Sequence, residues 1–215
     1  MSKPRYKNKK ELQENMEDTP ANGHLSASTC ITHLILAGTS AWTLKYCNAE
    51  YPFSFASYIM LFGHSLIGAA YYGHPQPCDS VRKICKISTI LVESCSVPFL
   101  TSQLLLLKNG YGNMPNLLCI PALTAAIPIV WSFFKGDSFH IMIDIIVGFN
   151  LCVLLYLAVQ YDSPWAYGLF TLGVLNQYVF SQICEKYEVP RMDLIAVGLT
   201  FFCIFSINTL YDAII

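Results

Sequence analysis

Seven apolar stretches fill the chain from Leu25 nearly to its carboxyl end: Leu25–Leu44, Phe53–Tyr72, Ile84–Leu107, Leu117–Phe134, Phe139–Gln160, Trp165–Ser181 and Leu194–Leu210. Each is close to the roughly 20 apolar residues that a helix needs to cross a bilayer at about 1.5 Å per residue. Backbone polar groups in lipid must be satisfied inside the segment or a closed barrel, and stretches this long and apolar select helices. The pattern predicts an all-α fold, a polytopic transmembrane helix bundle of seven spans. Only 13% of the residues are charged, against about a quarter in soluble proteins. Little length remains for a soluble domain.

Residues 1–23 are different. Lys3, Arg5, Lys7, Lys9 and Lys10 precede Glu11, Glu14, Glu17 and Asp18. The segment lacks the apolar residues to build a core and reads as a disordered tail. It is too long and too acidic for the start of a cleaved signal peptide, so the first span is expected to be a retained signal anchor. Two regions follow: a tail over 1–23 and a seven-span domain over 24–215.

The cations orient the bundle. With the amino terminus in the cytosol, the tail cations, Arg82, Lys83, Lys86, Lys135, Lys186 and Arg191 all fall on the cytosolic side, and only Lys45 and Lys108 fall opposite. That sorting is the positive-inside pattern. It predicts a cytosolic amino terminus and a lumenal or extracellular carboxyl terminus, in an endomembrane or the plasma membrane.

The connections are punctuated accordingly. Tyr51-Pro52 separates the first two spans, and Gly73-His74-Pro75-Gln76-Pro77 stops the second. Asn109 to Pro115 ends the third. Lys135-Gly136-Asp137-Ser138 reads as a tight hairpin. Asp162-Ser163-Pro164 offers a cap followed by Pro at the first helical position. Pro121 and Pro128 interrupt the fourth stretch, which is kept as a span because neighbouring helices can satisfy freed carbonyls.

Charges at bilayer depth are the most informative residues. Glu93 and Asp144 qualify. An ionised carboxylate near the bilayer centre costs about 2.5–3.5 kcal/mol on insertion scales, so it has to pair, protonate or face water. Counting from Ile84, Glu93 lies roughly 14 Å into the third span, near its middle. Arg82, Lys86, Thr89, Glu93, Ser96 and Gln103 share one face of that helix, opposite Ile84, Ile87, Leu91, Pro98 and Leu105. The polar face is expected to turn inward, with a kink at Pro98. On the fifth span His140, Asp144, Gly148 and Cys152 recur at steps of four, which makes His140 and Asp144 neighbours. The second span aligns Ser57, His64, Gly68 and Tyr71, and the first aligns Thr29, His33, Ala37 and Ser40. The candidate intramembrane polar site is therefore Glu93, His64, Gln103, His140 and Asp144, with His64 or Gln103 as the expected partner of Glu93. The plainer reading of such residues is helix packing, with interhelical hydrogen bonds of about 0.6 kcal/mol each.

The nine cysteines show no metal-ligand spacing and no Cys-x-x-Cys. Cys47 and Cys119 fall near the same non-cytosolic face, where a disulfide can form in an oxidising lumen. Cys78, Cys85 and Cys184 lie near the cytosolic boundary. No cofactor, metal or nucleic-acid partner is expected; the partners are the bilayer and other membrane proteins, with any small solute or ion unspecified.

Three function classes fit this pattern. A small transporter or channel-like protein would use Glu93 to bind a proton or cation. A membrane scaffold would use the helix faces or the basic tail. An intramembrane lipid-modifying hydrolase would draw on His64, Glu93, His140 and Asp144. Seven-helix lipid hydrolases of the alkaline ceramidase kind place a His pair in the last helix, and Leu194–Leu210 has no His. No Gly-x-Ser-x-Gly, His-Glu-x-x-His or phosphate loop occurs. The cytosolic amino terminus opposes a rhodopsin-like receptor. The residues favour a non-catalytic protein over an enzyme.

Overall fold

A computed structural model describes residues 26–47, 50–109, 119–134, 139–187 and 189–214. The tail over 1–23, most of the loop expected after Lys108 and the 135–138 hairpin lie outside the described residues. The elements are α1 (Ala27–Tyr46), α2 (Pro52–Gly73), α3 (Asp79–Asn109), α4 (Ile120–Thr124), α5 (Ala126–Phe134), α6 (Phe139–Tyr161), α7 (Pro164–Val174), a π-helical turn (Leu175–Val179), α8 (Phe180–Tyr187) and α9 (Arg191–Ile214). Among the described residues there is no strand. Taking α4 with α5, and α7 with the π turn and α8, as interrupted rods leaves seven helical rods among the described residues. Among the described residues, four helical segments are long and apolar enough to cross a membrane: Pro52–Gly73, Asp79–Leu107, Ile141–Tyr161 and Arg191–Ile214. α1 has 20 residues but carries a polar row and falls outside that set.

Local chemistry sets the ends. Ser26 caps α1 by accepting from the Thr29 amide, and Lys45 sits in the last turn, where the helix dipole favours a cation. Pro52 opens α2, and the helix stops at Gly73 ahead of Pro75 and Pro77. Ser163 caps α7 by accepting from the Ala166 amide, with Pro164 at the first position, as the Asp162-Ser163-Pro164 run predicts. Asp162 takes the left-handed backbone at φ 47° that the turn demands.

The fourth rod departs from a single span. It breaks at Ala125. Pro128 has no amide to offer Thr124, four residues earlier, and its ring crowds that carbonyl. α4 accordingly ends at Thr124, and the Ala125 amide turns back to Ala122 O at 3.3 Å. Neighbours tie the break down: the Ala122 amide donates to Ser102 Oγ at 2.8 Å, and Asn150 Nδ2 donates to Thr124 Oγ1 at 3.3 Å.

α3 is the central rod, with two thirds of its apolar window buried, and it packs against α2, α4, α5, α6 and α9. It begins five residues before the expected Ile84. Asp79 stands in its first turn, favourable at a helix amino end, and pairs with Arg82 at 3.9 Å. The expected inward face is half right. Ser96 and Gln103 are buried, and Ile84 and Ile87 are exposed. Pro98, assigned to the outer face, is buried, and the helix runs through it without interruption.

On α6 the outward row is Ile141, Ile145, Phe149, Cys152, Tyr156 and Val159, and the inward row is Ile143, Val147, Leu151 and Leu154. Cys152 thus leaves the polar file assigned to it. Steps of four drift by about 40° around a helix, enough over three steps to carry a residue off its face.

Two pairs of bonds fix relative direction. The Phe53 amide donates to Gln103 Oε1 at 3.2 Å, and His64 bonds Ser88 at 2.9 Å, so α2 and α3 are antiparallel. Ser28 Oγ donates to Asp193 Oδ2 at 2.6 Å near the starts of α1 and α9, and Tyr211 OH donates to Tyr46 O at 3.3 Å near their ends, so these two run parallel. The disulfide that the sequence allows between Cys47 and Cys119 is not formed; both residues are thiols. Burial pushes the Cys47 thiol up to about 11, which keeps it protonated and slow to oxidise at neutral pH.

Tyr58 ties α2 to α9 in the core. Its phenol is 1% exposed and meets Ser206 Oγ at 2.8 Å, while Ser206 donates onward to Cys203 O at 2.9 Å. Ser206 therefore accepts from Tyr58. Tyr58→Phe is expected to cost about 1 kcal/mol, measured as a lowered Tm in detergent. On a Ser206→Ala background the same change should cost little more, since the bond is already gone.

Candidate functional site

The five residues singled out by sequence separate into distinct places. Gln103 lies near the far end of α3, about 15 Å along the helix from Glu93, with its carbonyl oxygen held by Phe53. His64 faces α3 from α2 through Ser88; Glu93 comes five residues after Ser88, about 140° further around the helix. Neither expected partner meets Glu93. Asp144 stands on α6. His140 stands one turn earlier on the same helix, with its side chain outside the described residues.

Glu93 pairs instead with Arg191. Arg191 Nη2 stands 3.5 Å from Glu93 Oε1, with the two side chains 35% and 15% exposed. Arg191 is the first residue of α9, immediately after Pro190. Glu93 therefore stands within one arginine's reach of that helix's first turn. A carboxylate placed there has its charge matched by the guanidinium at the head of α9.

The other wall of the site is the π turn. Its three polar residues, Asn176, Gln177 and Tyr178, are consecutive, and they reach two different neighbours. Gln177 Nε2 donates to Asp144 Oδ1 at 2.7 Å, and Tyr178 OH donates to Asp144 O at 2.6 Å. Both thereby hold α6. Asn176 turns the other way, onto α9, where a Cβ built on Gly198 would stand 2.0 Å from Asn176 Oδ1. Gly198 is required there by that approach. On α6, Gly148 makes the same allowance for the Tyr178 hydroxyl, 2.7 Å from a Cβ built at that position. The wider π turn lets neighbouring residues splay to both sides, and such bulges recur at functional sites.

Between these elements lies a small cavity of about 50 Å³, lined by Glu93, Ser96, Asn176, Gln177 and Arg191 above an apolar floor of Val147, Ile195, Leu199 and Phe202. It has room for a water or a small ion and none for an organic substrate. Asn176 Oδ1 is buried and without a hydrogen-bond partner, so the wall presents an unclaimed acceptor. The Ser96 hydroxyl already donates to Val92 O at 2.7 Å.

Sequence reasoning missed Arg191 as a site residue, because it was counted only as a boundary cation. The available signal was its neighbourhood: Pro190-Arg191-Met192-Asp193 puts two charges in the first turn of a span. The π turn carries no composition signal. Among the described residues, no three His, Cys, Asp or Glu side chains converge as a metal site would need.

A larger cavity, about 180 Å³, opens at the other end of the bundle, among Leu104, Leu157, Tyr161, Ser163, Thr209 and Asp212. Ser163 Oγ donates to Asp212 Oδ2 across it at 2.5 Å.

A family model described as a domain of unknown function (DUF4791) matches residues 48–210. Glu93, Asp144, the π turn and Arg191 all fall within that segment, and α1 precedes it. No curated protein and no solved structure matches the chain.

Proposed function

The chain belongs to the DUF4791 family, a description that names no activity, and from its own residues we propose that it is a seven-span membrane protein that moves protons or small cations through Glu93. The observation that carries this reading is the Glu93–Arg191 pair beside a cavity of water size. The parallel pairing of α1 and α9 supports the seven-span count, since first and seventh spans that alternate in direction point the same way. The cation sorting supports a cytosolic amino terminus. On that topology the Arg191 edge of the site faces the cytosol.

The chemistry is a competition for one carboxylate. With the site empty, the guanidinium neutralises Glu93. A proton or small cation entering the cavity takes the carboxylate, and Arg191, already one third exposed, swings toward water. Asn176 Oδ1 and Gln177 are placed to bind a hydrated ion beside it. When the ion leaves, the pair closes again. The apolar floor keeps bulk water out between events.

The test is flux into liposomes holding the purified full-length protein and a pH-sensitive or cation-sensitive dye. Glu93→Gln is expected to insert and stay monodisperse while losing flux at least tenfold. Wild-type flux in that variant, or no protein-dependent flux of protons, sodium or potassium from wild type, ends the reading in favour of a membrane scaffold.

A further inference from the structure

α3 is longer than a bilayer core requires. Its 31 residues run about 46 Å at 1.5 Å per residue, against a hydrocarbon thickness of roughly 30 Å. A spanning helix of that length carries its ends out among the lipid headgroups. The first turns of α3 hold Asp79, Arg82, Lys83 and Lys86, at the i, i+3, i+4 and i+7 spacing that puts side chains on one face.

Burial says where that face points. Cys85, Ser88 and Val92 are buried and mark the side turned to the bundle. Arg82, Lys83 and Lys86 are exposed, and so are Ile84 and Ile87, at 50% and 53%. At about 100° per residue, Arg82, Lys86, Lys83, Ile87 and Ile84 follow one another around roughly 200° of the helix surface away from the core. Three cations and two bare isoleucines thus form one continuous outer surface. Side chains on a helix tilt toward its amino end, and lysine stems lie along apolar surface while the charge stays in water. At Lys83 and Lys86 both tendencies favour an ammonium at headgroup level, beside the isoleucines.

Asp79 is the one acid in these turns. It is 89% exposed and meets Arg82 at 3.9 Å, a contact that water and salt largely screen. Three cations against one acid leave the face positive. A soluble anion would engage the cations and gain nothing from the isoleucines. A phospholipid with an anionic headgroup engages both, its phosphate and headgroup charge on the cations and an acyl chain along Ile84 and Ile87.

We propose that this face of α3 is a binding site for an anionic phospholipid of the adjoining leaflet. The charges on the lipid and on the helix are complementary, and the apolar flank supplies the contact that sets a lipid apart from a free phosphate. The site does not require Glu93 to carry an ion.

The experiment is electron spin resonance of spin-labelled phosphatidylserine and phosphatidylcholine in bilayers holding the full-length protein, which counts the lipids immobilised at its perimeter. Phosphatidylserine should be preferred by about threefold, and the preference should fall as salt is raised. Lys83→Gln with Lys86→Gln should bring it near parity, and Lys83→Arg with Lys86→Arg should keep it. Asp79→Asn removes the opposing acid from an exposed position; it should strengthen the preference, and it serves if the glutamine pair does not fold. Lys45→Gln, at the opposite end of the bundle, should change little. The proposal is overturned if wild type shows no preference, if the glutamine pair retains it, or if Lys45→Gln lowers it as much. It is also overturned if inorganic phosphate displaces phosphatidylserine more fully than chloride does at matched ionic strength, which marks a soluble-anion site. Glu93→Gln should leave the lipid preference intact even where it abolishes flux, so failure of one reading does not mimic failure of the other.

Discussion

Arg191→Met is expected to destabilise the folded protein by about 2–3 kcal/mol. Removing one partner of a fully buried ion pair costs about 3–5 kcal/mol, because the other charge is left desolvated and unmatched. Here Arg191 is 35% exposed and Glu93 15%, so water reaches the orphaned carboxylate in part and the cost falls below that range. The double change Glu93→Gln with Arg191→Met should recover most of the loss, since no buried charge remains. Thermal or denaturant unfolding in one detergent, over the four members of the cycle, measures this. A double variant as unstable as Arg191→Met alone would mean that the guanidinium acts through its packing and not through the carboxylate. Flux in the double variant should remain absent, which separates the structural role of the pair from its proposed use.

Gly68→Ala is expected to lower stability by about 1–3 kcal/mol, the usual cost of overpacking. A Cβ at residue 68 would stand 1.9 Å from His33 Cδ2 and 2.4 Å from its Nε2. The ring cannot simply retreat, since Thr29 O holds Nδ1 and the His64 and Tyr72 rings pack on it. Separation of α1 from α2 is then the main relief. Two controls sharpen the outcome. A methyl added at Gly63 would meet nothing within 4 Å, so Gly63→Ala should be neutral or stabilising by roughly 0.4–1 kcal/mol. In a His33→Ala background the added methyl at residue 68 has space, and Gly68→Ala should cost far less. An equal cost in both backgrounds would show that the crossing is not set by this contact.

The helical rods were legible because hydropathy and proline placement act within one segment. Thr29, His33, Ala37 and Ser40 are buried together on α1, as their spacing implies. Gly73 ends α2, and Ser163 with Pro164 starts α7, for reasons carried by the residues themselves. The break at Ala125 was half legible: the two prolines were visible, but whether neighbours would sustain a straight span depended on Ser102 and Asn150. The partner of Glu93 was not legible. It lies far along the chain, at the head of the last rod, and only the packing of α9 beside α3 brings it near. A helical wheel ranks faces and is silent about which helix each face meets. The same limit hid the π turn, whose wide geometry serves contacts to α6 and α9 at once.

The parallel contact of α1 with α9 has a consequence for biogenesis. Ser28 and Tyr46 on the first rod find Asp193 and Tyr211 on the last, so this seam cannot exist while the ribosome is still short of the final rod. Until then one flank of the first rod, with Ser28 at its head, has to be sheltered by lipid headgroups, α2 or the insertion machinery. The seam thus closes only after α9 has been made, and a chain truncated before Arg191 lacks both this seam and the counter-charge for Glu93.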